Sequence, residues 1–134
     1  MKIFLIVFIA LWTQVAEAKI GLKVSLLYRK GIGQGFFLST EYHSNESVYE
    51  NERVTVRMSN GVSAKISAQF VQSVHDYGPS AFVRLRGEMF DPAGKVVKSF
   101  MEPPIDVYLG QTKSIVHANG DEEQIEVLIT PESI

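Results

Sequence analysis

From Ile20 onward, apolar and polar side chains alternate with a period of two. Ile20, Leu22, Val24, Leu26 and Tyr28 fall on one side of an extended chain, and Gly21, Lys23, Ser25 and Arg29 fall on the other. A helix would instead require apolar residues at i, i+3, i+4 and i+7. No stretch of eleven or more residues beyond position 18 shows that recurrence. The alternation returns in Phe36 to Tyr42, Val54 to Met58, Val62 to Phe70, Ala81 to Met101, Ile105 to Leu109, Thr112 to Ala118 and Gln124 to Thr130. About eight or nine strands and no helix predict an all-β fold, a single antiparallel β-sandwich with an immunoglobulin-like arrangement rather than a closed barrel. Ser44 to Glu52, rich in Ser, Asn and Glu, reads as a surface loop.

Turn chemistry predicts register at two hairpins. A two-residue Asn60-Gly61 loop would set Val56 opposite Lys65, mixing apolar and polar residues on one face. A three-residue loop, Ser59-Asn60-Gly61, instead pairs Met58 with Val62, Val56 with Ala64 and Val54 with Ile66, and requires Gly61 in the left-handed region. In Asp91-Pro92-Ala93-Gly94, Asp, Pro and Gly occupy the positions a type I turn with a left-handed exit favours. A regular ladder beyond it sets Phe90 opposite Val96, Glu88 opposite Lys98, Arg86 opposite Phe100 and Leu85 opposite Met101. Around Asn119-Gly120-Asp121 the register stays open.

The first 18 residues differ in kind. Lys2 precedes ten consecutive apolar residues, Ile3 to Trp12, and Ala16-Glu17-Ala18 has the small-x-small form of a signal-peptidase site. Residues 1–18 are expected to be a removed signal peptide and residues 19–134 a single domain, exported to a bacterial periplasm or secreted. Ten apolar residues fall short of the roughly 20 that span a bilayer as a helix, so no membrane span is expected after cleavage. The chain has no cysteine, which excludes disulfide staples, thiolate metal sites, a Cys nucleophile and a lipoprotein anchor. Cysteine-free export fits a periplasm better than a eukaryotic extracellular space. With 13 Lys+Arg against 15 Asp+Glu and a pI near 5.9, a nucleic-acid partner is not expected.

Motifs for chemistry are weak. Gly31-x-Gly33-x-Gly35 lacks the spacing and the following helix of a dinucleotide loop, since Phe36 opens a strand, and it reads as a hairpin tip. His43, His75 and His117 lie in separate segments. Glu41 shares a strand face with His43, and His75 adjoins Asp76, but neither pair has the spacing of a metal motif. No serine lies in a nucleophile elbow. No cofactor, metal site or catalytic residue is expected.

The hairpin around Asp91 is apolar on both sides. Val83, Leu85, Met89, Val97 and Met101 read as core, while Phe82, Arg84, Arg86, Phe90, Val96 and Phe100 share the opposite parity. Aromatic residues mixed with arginine are enriched at protein interfaces, so Phe82, Arg84, Arg86, Phe90 and Phe100 are the candidate partner-binding face. The expectation is a non-catalytic interaction module that holds a protein partner in the cell envelope. The alternative is a small-ligand or carbohydrate-binding domain with Tyr28, Tyr42 or Tyr108 as stacking platforms. The export reading has a direct check: the exported protein should begin at Lys19, by intact mass, and show tyrosine but no tryptophan emission, because Trp12 is the only tryptophan. Retention of residues 1–18 in the exported form would contradict it.

Overall fold

The computed structural model describes residues 19–33, 35–72, 81–120 and 122–133. Residues 1–18, for which a signal peptide is expected, and His75 with Asp76 lie outside them. Nine strands form: β1 (Lys19–Gly33), β2 (Phe36–Tyr49), β3 (Arg53–Arg57), β4 (Ser63–Gln72), β5 (Ala81–Phe90), β6 (Val96–Ser99), β7 (Ile105–Tyr108), β8 (Lys113–Asn119) and β9 (Glu123–Glu132). There is no helix among the described residues. All pairings are antiparallel, within two sheets packed face to face as an open sandwich.

Sheet A has the order β2-β1-β9-β8. Sheet B has the order β3-β4-β5-β6, with β7 also on β5. The chain thus opens in sheet A, builds sheet B from five consecutive strands, and returns to sheet A for β8 and β9. An immunoglobulin sandwich shares this two-layer architecture but distributes its strands between the sheets in a different order.

The alternation supplies the core. Ile20, Leu22, Val24 and Leu26 of β1 and Ile125, Val127 and Ile129 of β9 are buried from sheet A, facing Val56, Ala64, Ile66, Ala68, Val83, Leu85 and Met89 from sheet B. The first predicted register is observed: Val56 pairs with Ala64, Val54 with Ile66, and Met58 N–H donates to the Val62 carbonyl at 2.8 Å. Gly61 has φ 99° and Gly94 φ 87°, as the two turns require. Asp91 Oδ1 accepts the backbone N–H groups of Ala93 at 3.0 Å and Lys95 at 2.9 Å, which locks the second turn.

Beyond that turn the ladder departs from expectation. Phe90 pairs with Val96, but Met89 pairs with Lys98 and Glu88 with Ser99, because β6 carries one extra residue in a bulge. Leu85 pairs with Ile105 of β7 instead of Met101. The bulge reverses side-chain parity, so Phe100 comes opposite Gly87, donating its N–H to the Gly87 carbonyl at 2.8 Å. Its ring turns inward and is 4% exposed. Gly87 makes the room: a Cβ there would meet the Phe100 ring at 2.6 Å and also the Lys65 backbone carbonyl. Lys98 also turns inward, and its Nζ donates to the Val116 carbonyl of β8 at 3.0 Å, tying the edges of the two sheets.

A second departure concerns Ser44 to Glu52. β2 continues through Tyr49, with Ser44 opposite Val24, Glu46 opposite Leu22 and Val48 opposite Ile20. On its inward side Val48 is fully buried, while Ser44 and Glu46 are half-buried and satisfy each other, Ser44 Oγ donating to Glu46 Oε1 at 2.6 Å, so the strand tolerates polar residues there. The turn of β8 and β9, left open by the sequence, pairs Asn119 with Glu123 and His117 with Ile125.

Two substitutions test the Phe100 packing. Phe100→Ala should cost about 3–5 kcal/mol in urea denaturation, as buried aromatic truncations do. Gly87→Ala should cost more than about 2 kcal/mol, because the clashing carbonyl is backbone and cannot rotate away. Losses below about 1 kcal/mol at both positions would contradict this arrangement.

Candidate interaction surface

The outward parity of sheet B follows from what its inward residues bury. On β5, Val83, Leu85 and Met89 face the core, so Phe82, Arg84, Arg86, Glu88 and Phe90 face out, each partly exposed. The ladders set their neighbours. Phe90 lies between Ser63 and Val96, Glu88 between Lys65 and Ser99, and Arg84 between Gln69 and Asp106. Arg86 lies opposite Ser67, and Phe82 lies between Val71 and Tyr108. On β3, Arg53, Thr55 and Arg57 complete the face.

Four of the five candidate residues, Phe82, Arg84, Arg86 and Phe90, are therefore brought together in one row, while Phe100 belongs to the core and leaves the face. The row runs about 27 Å along β5 at the usual strand rise. At one end Phe82 and Tyr108 pack edge to face, with centroids 5.9 Å apart. Beside them Arg84 grips Asp106 through two bonds, Nε to Oδ1 at 2.9 Å and Nη2 to Oδ2 at 3.3 Å. These bonds, and then the carboxylate's charge, push the arginine pKa up. Arg86 donates from Nη1 to the Gln69 Oε1 at 3.3 Å, which orients its guanidinium along the sheet.

At the other end a groove of about 330 Å³ opens between the two turns. Phe90, Arg57 and Lys65 line it, with the Gly61 and Pro92–Gly94 backbone forming its end wall. Lys65 Nζ sits 5.4 Å from the Phe90 ring centroid. The turns touch closely, since a Cβ on Gly61 would come 2.6 Å from the Pro92 carbonyl oxygen.

Arg53, Arg57 and Lys65 were not singled out from sequence, though the Asn60-Gly61 register already places them on this face. With Arg84 and Arg86 they make five cations against two carboxylates, Glu88 and Asp106, in a chain whose formal net charge is −2. Among the described residues only Arg84 of the five forms an ion pair. Net composition conceals this local excess.

The three tyrosines of the ligand reading do not share one wall: Tyr28 and Tyr42 lie diagonally on the inner face of sheet A, since Tyr28 pairs with Thr40 and Tyr42 with Leu26, while Tyr108 stands on sheet B. Tyr28 is buried at the end of β1 and donates its hydroxyl to Glu123 Oε2 at 2.8 Å. Tyr42 is exposed on β2, and Tyr108 is exposed on the outer face of sheet B. His43, on the outer face of sheet A, contacts Ser25 Oγ through Nδ1 at 2.8 Å and lies 3.6 Å from Glu41 through Nε2. The three groups follow one another as in a hydrolase triad. They lie on an open strand surface, however, with the Glu41 and His43 side chains 60% and 69% exposed. Among the described residues, no three His, Cys, Asp or Glu side chains converge as metal ligands.

Burial, then the hydrogen bond to Glu123 and the charges of Glu123 and Asp91, push the Tyr28 pKa from about 10 up to about 12. The folded state holds the neutral phenol where the unfolded chain would ionise. This contribution to stability is complete below pH 10 and is lost as pH rises from about 10 to about 12. Tyr28→Phe should therefore show a shallower alkaline decline in stability than the parent across that window. Equal slopes would contradict the assignment.

No protein-family model matches the chain, and searches of curated proteins and of solved structures give no significant match.

Proposed function

We propose that the domain is an exported, non-catalytic interaction module that holds a protein partner in the cell envelope on the outer face of sheet B. The observation that carries this reading is the single row Phe82, Arg84, Arg86 and Phe90, flanked by exposed Tyr108 and Val96. Aromatic rings supply large contact area at low conformational cost, and arginine adds directional contacts; both are enriched among binding hot spots. The rings stand at the two ends of the row, with guanidinium groups between them. The local excess of positive charge favours an acidic surface on the partner, which would steer association and set register. Localisation in the envelope rests on the apolar leader and Ala16-Glu17-Ala18.

Capture from an envelope extract, with parent and variant proteins compared side by side, tests the reading. Arg86→Ala combined with Phe90→Ala should leave folding stability close to the parent and weaken partner association by roughly 2 kcal/mol or more. Ser114→Ala, on the outer face of sheet A, should leave capture unchanged. The same proteins recovered in the same yield by the parent and the double variant would refute this face as the binding surface.

A further inference from the structure

β2 is the outermost strand of sheet A. Over Phe36–Tyr49 it pairs with β1 on one side, and among the described residues no strand pairs with its other side. A row of unpaired backbone N–H and C=O groups is a template for another strand, and proteins blunt such edges with short strands, lysine, proline or bulges. The other edges here carry those devices. β3 has five residues and bears Arg53 and Arg57. β6 has four residues, a bulge and the inward-turned Lys98. β8 sets Lys113 opposite the core residue Ile129.

β2 carries only one such device, the inward-parity carboxylate of Glu46 opposite the core residue Leu22. It has 14 residues without proline, lysine or arginine, and its ladder with β1 is regular from Phe37 to Tyr49. Four of the six large apolar side chains exposed among the described residues lie on it: Phe37, Leu38, Tyr42 and Tyr49. Phe37 and Tyr49 are partly covered by Arg29 and Lys19 of β1, each 4.8 Å from the ring centroid. Leu38 and Tyr42 are not accounted for in that way. They share the inward parity of the buried Val48, yet are 60% and 42% exposed, although Leu26, paired with Tyr42 on β1, is fully buried, so the exposure is confined to the β2 margin.

We propose that two copies of the chain pair antiparallel through their β2 edges, joining two four-stranded sheets into one of eight strands about a two-fold axis normal to the sheet. Opposed residues in such a pair share a face, so the axis passes through a residue position and not between two. With the axis at Tyr42, Glu41 of each copy lies opposite His43 of the other, Thr40 opposite Ser44 and Ser39 opposite Asn45, and the two Tyr42 residues meet at the centre. For every axis from Tyr42 to Asn45, no carboxylate of β2 faces another, since Glu41 and Glu46 have opposite parity and self-oppose only at axes through themselves. No like charges therefore oppose each other, and the axis at Tyr42 adds two Glu41–His43 contacts between the copies. The pairing leaves the outer face of sheet B of each copy free, so it is independent of the partner-binding reading.

The absence of cysteine makes the test clean, because a single introduced thiol can cross-link only to its own copy. Protein purified after expression of the full chain should show a monomer–dimer equilibrium by sedimentation between about 1 and about 200 µM. Oxidised variants with Tyr42→Cys, His43→Cys, Ser44→Cys or Asn45→Cys should include a covalent dimer, strongest for Tyr42→Cys, since Cα atoms paired across the axis lie about 4.5–5.5 Å apart, within disulfide reach. Thr55→Cys on β3 and Ser114→Cys on β8 should stay monomeric on reducing-free gels. Leu38→Lys with Tyr42→Lys should weaken dimerisation at least about tenfold while keeping the thermal transition of the parent, which shows that it folds. A monomer throughout the concentration range overturns the proposal, including the case in which β2 accepts only a strand from another protein. Cross-linking through Thr55→Cys or Ser114→Cys, with none through the four β2 positions, overturns it equally.

Discussion

The ring of Phe100 lies over the backbone of Gly87, and the arrangement of sheet B depends on that contact. β5 has one edge available beyond β4, yet two strands use it: β6 beside Glu88 to Phe90 and β7 beside Phe82 to Leu85. The chain can leave β5 between them only if something fills the gap at Gly87. The missing Cβ provides a notch, the bulge in β6 turns Phe100 into it, and the Phe100 N–H closes the bond to the Gly87 carbonyl. A buried phenyl group contributes on the order of 1.5–3 kcal/mol through removal of apolar surface from water. An irregular ladder is thereby favoured over a regular one that would leave the ring outside.

The same contact shapes the surface. Had β6 continued in register, Phe100 would have stood beside Arg86 and Lys98 beside Glu88, giving a face with one more ring and one more cation. Instead Lys98 seals the side of the sandwich at Val116, Phe100 joins the core, and the outer face keeps Phe82, Arg84, Arg86 and Phe90 among cations from β3 and β4. Rings stand at the two ends and guanidinium groups between them. Sheet A has a different character at its β2 edge, which is long and free of lysine, arginine and proline. The two surfaces face different directions, and the two proposals assign them different kinds of contact, side-chain recognition on one and backbone pairing on the other.

Alternation made the sheet class and most of the core legible from the residues alone, because apolar inward positions of β1, β4 and β9 repeat at i+2, and those of β5 do so apart from Gly87. Turn chemistry went further and placed Gly61, Gly94 and the β3–β4 ladder correctly, since a left-handed glycine and a matched apolar face constrain the same loop length. What escaped was set by contacts distant in sequence. No local signal marks the β6 bulge; Gly87 was the available clue, an interior strand glycine where close approach by another group is common. The continuation of β2 through Ser44 to Tyr49 was hidden by polarity, because the inward Ser44 and Glu46 are half-buried and hydrogen-bond each other, leaving Val48 as the one fully buried apolar residue of the segment. The cationic character of sheet B was within reach, since the Asn60-Gly61 register already set Arg53 and Arg57 outward, but net charge alone averaged it away.

The reversal of parity between Phe90 and Phe100 is the point on which both the core and the proposed face turn, and it can be measured directly. Trp12 is the only tryptophan of the chain, so Phe90→Trp and Phe100→Trp, each made together with Trp12→Phe, provide a single emitter. Acrylamide quenching in the folded state should reach the indole at position 90 readily, with red-shifted emission, and should scarcely reach the one at position 100, with blue-shifted emission; in denaturant the two should become alike. Comparable quenching of both in the folded protein, or protection at position 90 with exposure at position 100, would contradict the bulged register and the surface built on it.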